Sequence, residues 1–156
     1  MTSHSRQITL TPIAVVRGGR SEVFEDGWGA EVATLVLDPD VLDPNATDGL
    51  AEFSHLEVVF YFHREDRVRR GAAHPRGNPA WPRVGVLADH SPVRPNHLGV
   101  SRCRLLEVSG MELRVQGLDA IDGTPVLDIK PYASGFVPRG PIREPEWIAE
   151  LMAGYY

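Results

Sequence analysis

The sequence has 156 residues and lacks several features that define large classes of proteins. It contains a single cysteine, Cys103, so an internal disulfide and a zinc site made of several cysteines are both excluded. No apolar run approaches the ~20 residues of a membrane-spanning helix, and the start, MTSHSRQ, lacks the basic and apolar parts of a signal peptide. We therefore expect a cytoplasmic protein without a membrane segment.

Positive charge is also scarce. The chain carries 16 Lys and Arg against 21 Asp and Glu, a net charge of −5, and Lys130 is the only lysine. Proteins that hold duplex nucleic acid without sequence preference are usually cationic, so any nucleic-acid contact of this chain must be local. The one concentration of positive charge lies at residues 64–83, which include six arginines.

Familiar catalytic and cofactor motifs are missing as well. The sequence has no G-x-G-x-x-G after a strand, no P-loop, no H-E-x-x-H and no G-x-S-x-G. Its histidines between residues 55 and 97 are widely and irregularly spaced, which does not match a zinc-ligand motif. We expect no metal site.

Proline and glycine, in contrast, are abundant, with 13 and 15 residues. They separate short runs rich in β-branched and aliphatic residues, which predicts many turns between short strands. Closure into a barrel would remove the exposed edges of such strands. We therefore predict a mostly β protein, a single domain over residues 1–156 that forms a small closed or nearly closed β-barrel with short peripheral helices. The predicted strands are 8–16, 30–37, 56–63, 84–87, 100–108, 111–118 and 126–132.

Three further segments are predicted in outline. Residues 45–54 suit a short helix capped by Thr47, and residues 65–83 read as a long irregular loop. A C-terminal helix at about 145–153, with Pro145 at its first position, carries Trp147 and is expected to form a lid or an interface. The central run at 56–63 is nearly all apolar, which predicts a strand buried on both faces.

Three polar clusters are candidates for a binding site. His63 and Arg64 follow the central strand, although a strand end that merely reaches solvent would look the same. The turn at 90–101 (HSPVRPNHLGVS) is stiffened by two prolines, so its side chains either cradle a ligand or cap neighbouring backbone groups. In residues 119–125 (DAIDGTP), Asp119 and Asp122 suit acid–base chemistry, yet Asp in a tight turn often binds its own backbone.

Taken together, these segments resemble the TsaA-like, or YaeB-like, family. The resemblance rests on PIAVVR (12–17), LAEFSHLEVVFYFHR (50–64), GVLADHSPVRPNHLGVS (85–101) and DAIDGTPVLDIKPY (119–132). The family consists of S-adenosylmethionine-dependent enzymes on a small β-barrel, usually homodimers, and the best understood methylate N6 of threonylcarbamoyladenosine beside the anticodon of tRNA. The resemblance therefore implies S-adenosylmethionine as the methyl donor, tRNA as the partner and a homodimer.

The resemblance also implies a set of donor-site residues, with Pro95 helping to shape the pocket. An aromatic face such as Trp28 or Tyr132 would favour the sulfonium cation of the donor. Asp122 and Asp128 are candidates for a base that assists the poorly nucleophilic N6, but no catalytic residue is assigned. The implied donor-site residues are His63, Arg64, His90, Arg94, Asn96, Val100, Asp119, Ala120, Ile121 and Asp122.

The arginine-rich stretch at 64–83 is the predicted tRNA contact. Arginines suit the phosphates of the anticodon loop, and Trp81 suits stacking on an unpaired base. We predict Arg69, Arg70, Arg76 and Trp81 as the substrate-binding residues. The alternative is a solvated loop without a partner.

The chain departs from the family pattern at two positions. Family members commonly carry Arg at the position of His90 and Pro at the position of His97. A histidine, unlike an arginine, loses its charge near neutral pH, so we expect donor binding to be weaker or pH-dependent. Methylation of another RNA or of a small molecule, and a noncatalytic S-adenosylmethionine sensor, remain alternative functions.

Overall fold

The structure is a computed structural model and describes residues 6–156. Six of its strands form a closed barrel in the order β1-β2-β7-β6-β3-β8, and the remaining two form a small separate sheet. The predicted barrel is confirmed. The strands are β1 (Ala14–Arg17), β2 (Val32–Leu37), β3 (His55–Tyr61), β4 (Ala72–Ala73), β5 (Val84–Gly85), β6 (Leu98–Ser109), β7 (Glu112–Gln116) and β8 (Pro125–Pro131), and the α-helix described among these residues is α1 (Glu146–Met152).

The barrel core is built by alternation of side chains along each strand. In β2 every second residue is buried, and the same period of two holds in β3 and β7. A single apolar cluster fills the interior, and Cys103 lies within it as a buried free thiol. The largest fully buried side chains are Phe60, Leu35, Leu56, Leu113, Val16, Val58, Val115 and Val126.

Because the strands pair antiparallel, the long connections between them lie at one end of the barrel. The last residue of β3, Tyr61, is paired with Leu98, the first residue of β6, and Phe60 is paired with Val126, near the start of β8. Chain segments that leave these strand ends therefore emerge together. We call this the loop end, and the connections there are residues 18–31, 62–97 and 117–124.

Several predictions of local structure were wrong in detail. The first strand begins at Ala14 instead of residue 8, and residues 45–54 form turns and one 3-10 turn, Leu50–Glu52, instead of an α-helix. Gly49, in the left-handed conformation, precedes this 3-10 turn, where Thr47 was expected as the cap. Of residues 84–87, only β5 is a strand, and a 3-10 turn, Val86–Ala88, follows it.

The stretch at 65–83 is more regular than predicted. It contains β4 and the 3-10 turn Pro75–Gly77, and β4 pairs with β5. The expectation that β3 is buried on both faces is also wrong. Its buried residues alternate with half-buried ones, because one face lines the barrel interior and the other lies on its outside.

Helix α1 agrees with its predicted position. It spans Glu146–Met152, and Pro145 is its N-cap instead of its first residue. The helix packs against the 62–97 connection, where the Trp147 and Trp81 rings lie 6.3 Å apart. No helix among residues 6–156 is long and apolar enough to cross a membrane.

Candidate functional site

Two of the predicted polar clusters meet at the loop end of the barrel. His63 follows β3 by two residues, and its Nε2 atom lies 3.6 Å from the point where a Cβ on Gly123 would stand. Gly123 has φ of +85°, a conformation that side chains other than glycine rarely adopt. The tight DAIDG turn at 119–123 therefore places its backbone against the imidazole.

The same turn is anchored to the first connection of the barrel. The Gly18 amide donates a hydrogen bond of 2.9 Å to Asp122 Oδ1, and the Asp122 amide donates one of 2.8 Å to the Arg20 carbonyl. The Gly123 amide donates to Val16 O at 2.7 Å. Asp122 thus fixes the position of the turn with one carboxylate oxygen and keeps its other oxygen for another donor.

Charges of both signs stand side by side here. The Arg64 guanidinium donates to the Ser21 carbonyl at 3.1 Å, so it lies next to the connection that also holds Asp122. Burial lowers the pKa of His63, the positive charge of Arg64 lowers it further, and the negative charge of Asp122 acts in the opposite direction. His63 is therefore a neutral imidazole at neutral pH and can both donate and accept a hydrogen bond.

The first residue of the turn, Asp119, has two oxygens in different environments. Its Oδ2 accepts a hydrogen bond from the hydroxyl of Tyr155, whereas its Oδ1 is buried and has no partner among residues 6–156. Ala120 is buried in the barrel core and Ile121 is half-buried. Because a buried acceptor without a partner is unfavourable, Asp119 Oδ1 is suited to a hydrogen-bond donor on a ligand.

The first part of the proline-stiffened turn, together with the preceding Asp89, spans residues 89–97, and the arginine within it hydrogen-bonds to the backbone of the turn. Arg94 Nη1 donates to the carbonyls of Asp89 and Ser91 at 2.9 and 3.3 Å. Asn96 and His97 have φ of +64° and +48°, which gives the turn a sharp reversal just before β6. Arg94 therefore caps backbone groups, as the structural alternative for this turn predicts, while His90 and Asn96 are exposed.

Val100 lies on the outside of the barrel. It is 63% exposed on the outer face of β6, whereas the next residue, Ser101, is buried on the inner face. The structure therefore brings together His63, Arg64 and Asp122, and Asp119 belongs to the same turn as Asp122, whereas Val100 faces outward from β6. Among residues 6–156, no side-chain hydrogen bond or ion pair joins His90 or Asn96 to this group.

Most arginines of the basic stretch are held by groups of the protein. Arg69 pairs with Asp89 at 2.5 Å, and Arg76 pairs with Glu25 and Asp26 at 3.2 and 2.9 Å. Arg70 is exposed and makes no hydrogen bond or ion pair with any of residues 6–156. Of the predicted phosphate-binding arginines, Arg70 is thus the one whose guanidinium is available without breaking a contact.

Trp81 is also engaged within the chain. Its indole nitrogen donates to Glu150 Oε2 at 2.7 Å, and its carbonyl lies 2.7 Å from His74 Nδ1. With Trp147 beside its ring, Trp81 anchors α1 to the loop end. Stacking of this tryptophan on a nucleotide base stays a prediction.

Each of the two aromatic rings predicted to contact the sulfonium has an arginine guanidinium next to it. The guanidinium carbon of Arg20 lies 4.0 Å from the centre of the buried Trp28 ring, and that of Arg102 lies 5.3 Å from the Tyr132 ring. Asp128, one of the suggested bases, pairs with Lys130 at 3.1 Å. These groups have structural partners, and no base is assigned.

Reasoning from the sequence missed the role of the first connection and of Tyr155. Gly18 and Ser21 contact the site through backbone atoms, which leave no trace in residue identity. Tyr155 lies beyond the predicted C-terminal helix, and no sequence motif assigns it to the site. In the part of the chain that the structure describes, no group of three or more His, Cys, Asp or Glu residues could hold a metal ion.

Known proteins are similar to this chain in both sequence and fold. The family model of the tRNA-methyltransferase O N-terminal domain matches residues 25–136. A "Probable S-adenosyl-L-methionine-binding protein" of Methanothermobacter thermautotrophicus is 41% identical over 131 residues, which cover 81% of this chain and 90% of that protein. The tRNA (adenine(37)-N6)-methyltransferase of Mus musculus is 43% identical over 90 residues, which cover 56% of this chain.

The solved structures agree with the barrel assignment. The crystal structure of TrmO from P. aeruginosa superposes with a TM-score of 0.75 at 29% identity and covers 93% of this chain. The share of each relative's own length that this chain covers differs between the relatives. This chain spans 63% of that TrmO chain and 20% of the mouse enzyme.

Proposed function

This chain belongs to the family of the tRNA-methyltransferase O N-terminal domain, and we propose that it is a methyltransferase that uses S-adenosylmethionine. The acceptor is N6 of threonylcarbamoyladenosine beside the anticodon of tRNA. The mouse relative is a tRNA (adenine(37)-N6)-methyltransferase, which supports this acceptor. The relative of M. thermautotrophicus, matched over nine tenths of its length, supports the donor.

The observation that carries the donor assignment is the meeting of His63 and Arg64 with the DAIDG turn. A ligand that bears a carboxylate, an ammonium and a sulfonium needs groups of both signs in one place. Arg64 supplies a positive charge and Asp122 a negative charge, and both act on His63. Asp119 supplies a second negative charge in the same turn as Asp122. The neutral His63 completes this set as a hydrogen-bonding group.

Asp119 provides the test of whether the residues fit such a ligand. Its buried Oδ1 has no partner among residues 6–156, so an ammonium, amino or hydroxyl group of a ligand would satisfy it. S-adenosylmethionine offers groups of each of these kinds and, when bound, supplies an activated methyl group. The residues present therefore fit the donor.

The protein's own contribution to the reaction is largely one of placement. The turn at 119–123 is held at both ends by backbone and side-chain hydrogen bonds, so its carboxylates are fixed before a ligand arrives. Fixed groups lose little entropy on binding, and correct orientation of two reactants is itself a large part of catalysis. A hydrogen bond from the N6–H to His63 Nε2 or to a carboxylate of this turn would assist the nucleophile.

The decisive test is methyl transfer from labelled S-adenosylmethionine to two tRNA substrates. Transcripts that carry threonylcarbamoyladenosine should gain label, and transcripts with unmodified adenosine should not. Label on both, or on free nucleosides only, would replace the proposed acceptor with another RNA or a small molecule. Donor binding without any transfer would favour the sensor function.

A matched pair of histidine variants tests the site. His63→Ala should weaken donor binding and slow transfer, because it removes a group in contact with the turn. His55→Ala removes a histidine at the other end of β3, where the ring is hydrogen-bonded to Ser54 Oγ at 2.7 Å, and should bind the donor normally. If both variants bound the donor equally well, the donor site would have to lie elsewhere in the protein.

The homodimer and the cytoplasmic location belong to the same proposal. Tyr61, Leu98 and Val100 are 38%, 39% and 63% exposed on the outside of β3 and β6, and Tyr61 and Leu98 are cross-strand partners. A second copy seated on this face would bury them. Val100→Glu should then shift the sedimentation of the protein from dimer to monomer, and a wild-type monomer would exclude this interface.

A further inference from the structure

The last segment of the chain forms a structural unit outside the residues that the family model matches. We call residues 146–156 the strap. The family match ends at residue 136, so the strap lies outside the matched domain. Its place in the fold nevertheless brings it to the donor site.

The strap is tied to two of the loop-end connections. At its start, Glu150 Oε2 accepts the hydrogen bond from the Trp81 indole at 2.7 Å. At its end, the amides of Gly27 and Trp28 donate to the carbonyls of Gly154 and Tyr155 at 2.9 and 2.8 Å. These bonds hold the end of the strap beside the first connection, close to the turn at 119–123.

A close approach of backbone atoms holds this end in place. A Cβ atom on Gly29 would stand 2.7 Å from the carbonyl carbon of Tyr156, so only glycine allows the strap to lie this near. The Tyr155 and Tyr156 rings are 4.9 Å apart in an edge-to-face arrangement. The Tyr155 side chain therefore has a defined position.

From this position the Tyr155 hydroxyl donates to Asp119 Oδ2. Burial raises the pKa of Tyr155 and the negative charge of Asp119 raises it further, so the hydroxyl keeps its proton and remains a donor at all physiological pH values. The hydrogen bond occupies one carboxylate oxygen and leaves the buried Oδ1 for a ligand.

We propose that Tyr155 is a positioning residue, which orients the Asp119 carboxylate so that Oδ1 receives a hydrogen-bond donor of S-adenosylmethionine. This inference rests on the proposed function, because it takes Asp119 as part of the donor site. The strap thereby contributes to the donor site a group that lies outside the matched family domain. Without the hydroxyl, the carboxylate can rotate and must be ordered again when the ligand binds.

The test is a double-mutant cycle on donor affinity, measured by calorimetry with S-adenosylmethionine alone. Tyr155→Phe keeps the ring and removes the hydroxyl, and it should weaken binding about five- to tenfold, the net size of one ordinary hydrogen bond. Asp119→Ala should weaken binding at least as much. In the Asp119→Ala background, Tyr155→Phe should change the affinity less than twofold, because its target is gone.

Tyr156→Phe is the matched control, since it removes a hydroxyl from the neighbouring ring, and the hydroxyl that donates to Asp119 Oδ2 is that of Tyr155. It should bind the donor within twofold of the wild type. In methyl transfer, Tyr155→Phe should raise the KM for S-adenosylmethionine and leave kcat nearly unchanged. Thermal unfolding of each variant separates loss of affinity from loss of folding.

Three results would overturn the inference. These are unchanged affinity of Tyr155→Phe, tighter binding that marks the strap as a competitor of the donor, and an equal loss in both backgrounds. Failure of the proposed function looks different, because the wild-type protein itself would then show no binding of S-adenosylmethionine. The two hypotheses therefore fail in separate measurements.

Discussion

Arg69 and Asp89 form an ion pair of 2.5 Å that joins two parts of the long 62–97 connection. The side chains are only 15% and 7% exposed. Arg69 Nη1 also donates to the Val84 carbonyl at 3.3 Å, and Asp89 Oδ1 accepts from the Ser91 amide at 2.7 Å. The pair therefore holds the start of the proline-stiffened turn against β5.

We predict that Arg69→Ala lowers the free energy of unfolding by about 3 kcal/mol, because it leaves the Asp89 carboxylate buried without its counter-charge. Urea denaturation, with tryptophan fluorescence as the signal of unfolding, measures this loss. Arg67→Ala is the control within the same connection, since the Arg67 side chain is 74% exposed in its ion pair with Glu65. Its denaturation midpoint should match the wild type, and an equal loss in both variants would contradict the structural role of Arg69.

A second prediction concerns the pH dependence of stability. The folded protein lowers the pKa of His63, so the unfolded chain takes up a proton more readily. His63 therefore destabilises the fold as pH falls below about 6.5, the ordinary value for histidine, and has no effect well above it. His63→Gln should reduce the loss of stability between pH 7 and 5 in urea titrations, whereas His55→Gln should keep the wild-type profile. Superimposable profiles of wild type and His63→Gln would refute the prediction.

Gly99 provides a test of packing beneath the donor site. A Cβ at this position would stand 2.5 Å from ring carbons of Phe60 and 2.9 Å from Phe62. Gly99→Ala should lower the free energy of unfolding by about 1–3 kcal/mol, because the buried Phe60 ring and the half-buried Phe62 ring must move. Gly85→Ala is the control, with φ of −65° and no atom within 4 Å of its added methyl. It should unfold within about 0.5 kcal/mol of the wild type.

The last prediction separates exposed from engaged arginines in tRNA binding. Arg70→Ala should weaken tRNA binding and reduce the slope of log affinity against log salt concentration by about 0.7–1, as expected for one lost phosphate contact. Arg67→Ala, whose guanidinium is already paired with Glu65, should change the slope less. Filter binding at several salt concentrations measures both slopes. Identical slopes for the two variants would remove Arg70 from the interface.

The predicted tRNA-binding set illustrates where local patterns mislead. Six arginines within residues 64–83 read as a basic patch when only the sequence is considered. In the folded chain, Arg69 and Arg76 pair with acidic residues outside this stretch, at Asp89 and at Glu25 and Asp26. Charge counted along the sequence therefore overstates the charge that the surface presents.

By itself, the sequence determined the class of fold and the approximate position of most strands. Alternation of apolar residues and the spacing of Gly and Pro are local properties, and burial of every second side chain follows from them. The tertiary structure alone decided which loops meet. Asp122 and Gly18 are separated by 104 positions and Tyr155 and Asp119 by 36, yet both pairs are hydrogen-bonded. Such contacts depend on the order in which the strands close the barrel, because closure brings the ends of distant strands together and local propensity carries no record of that order.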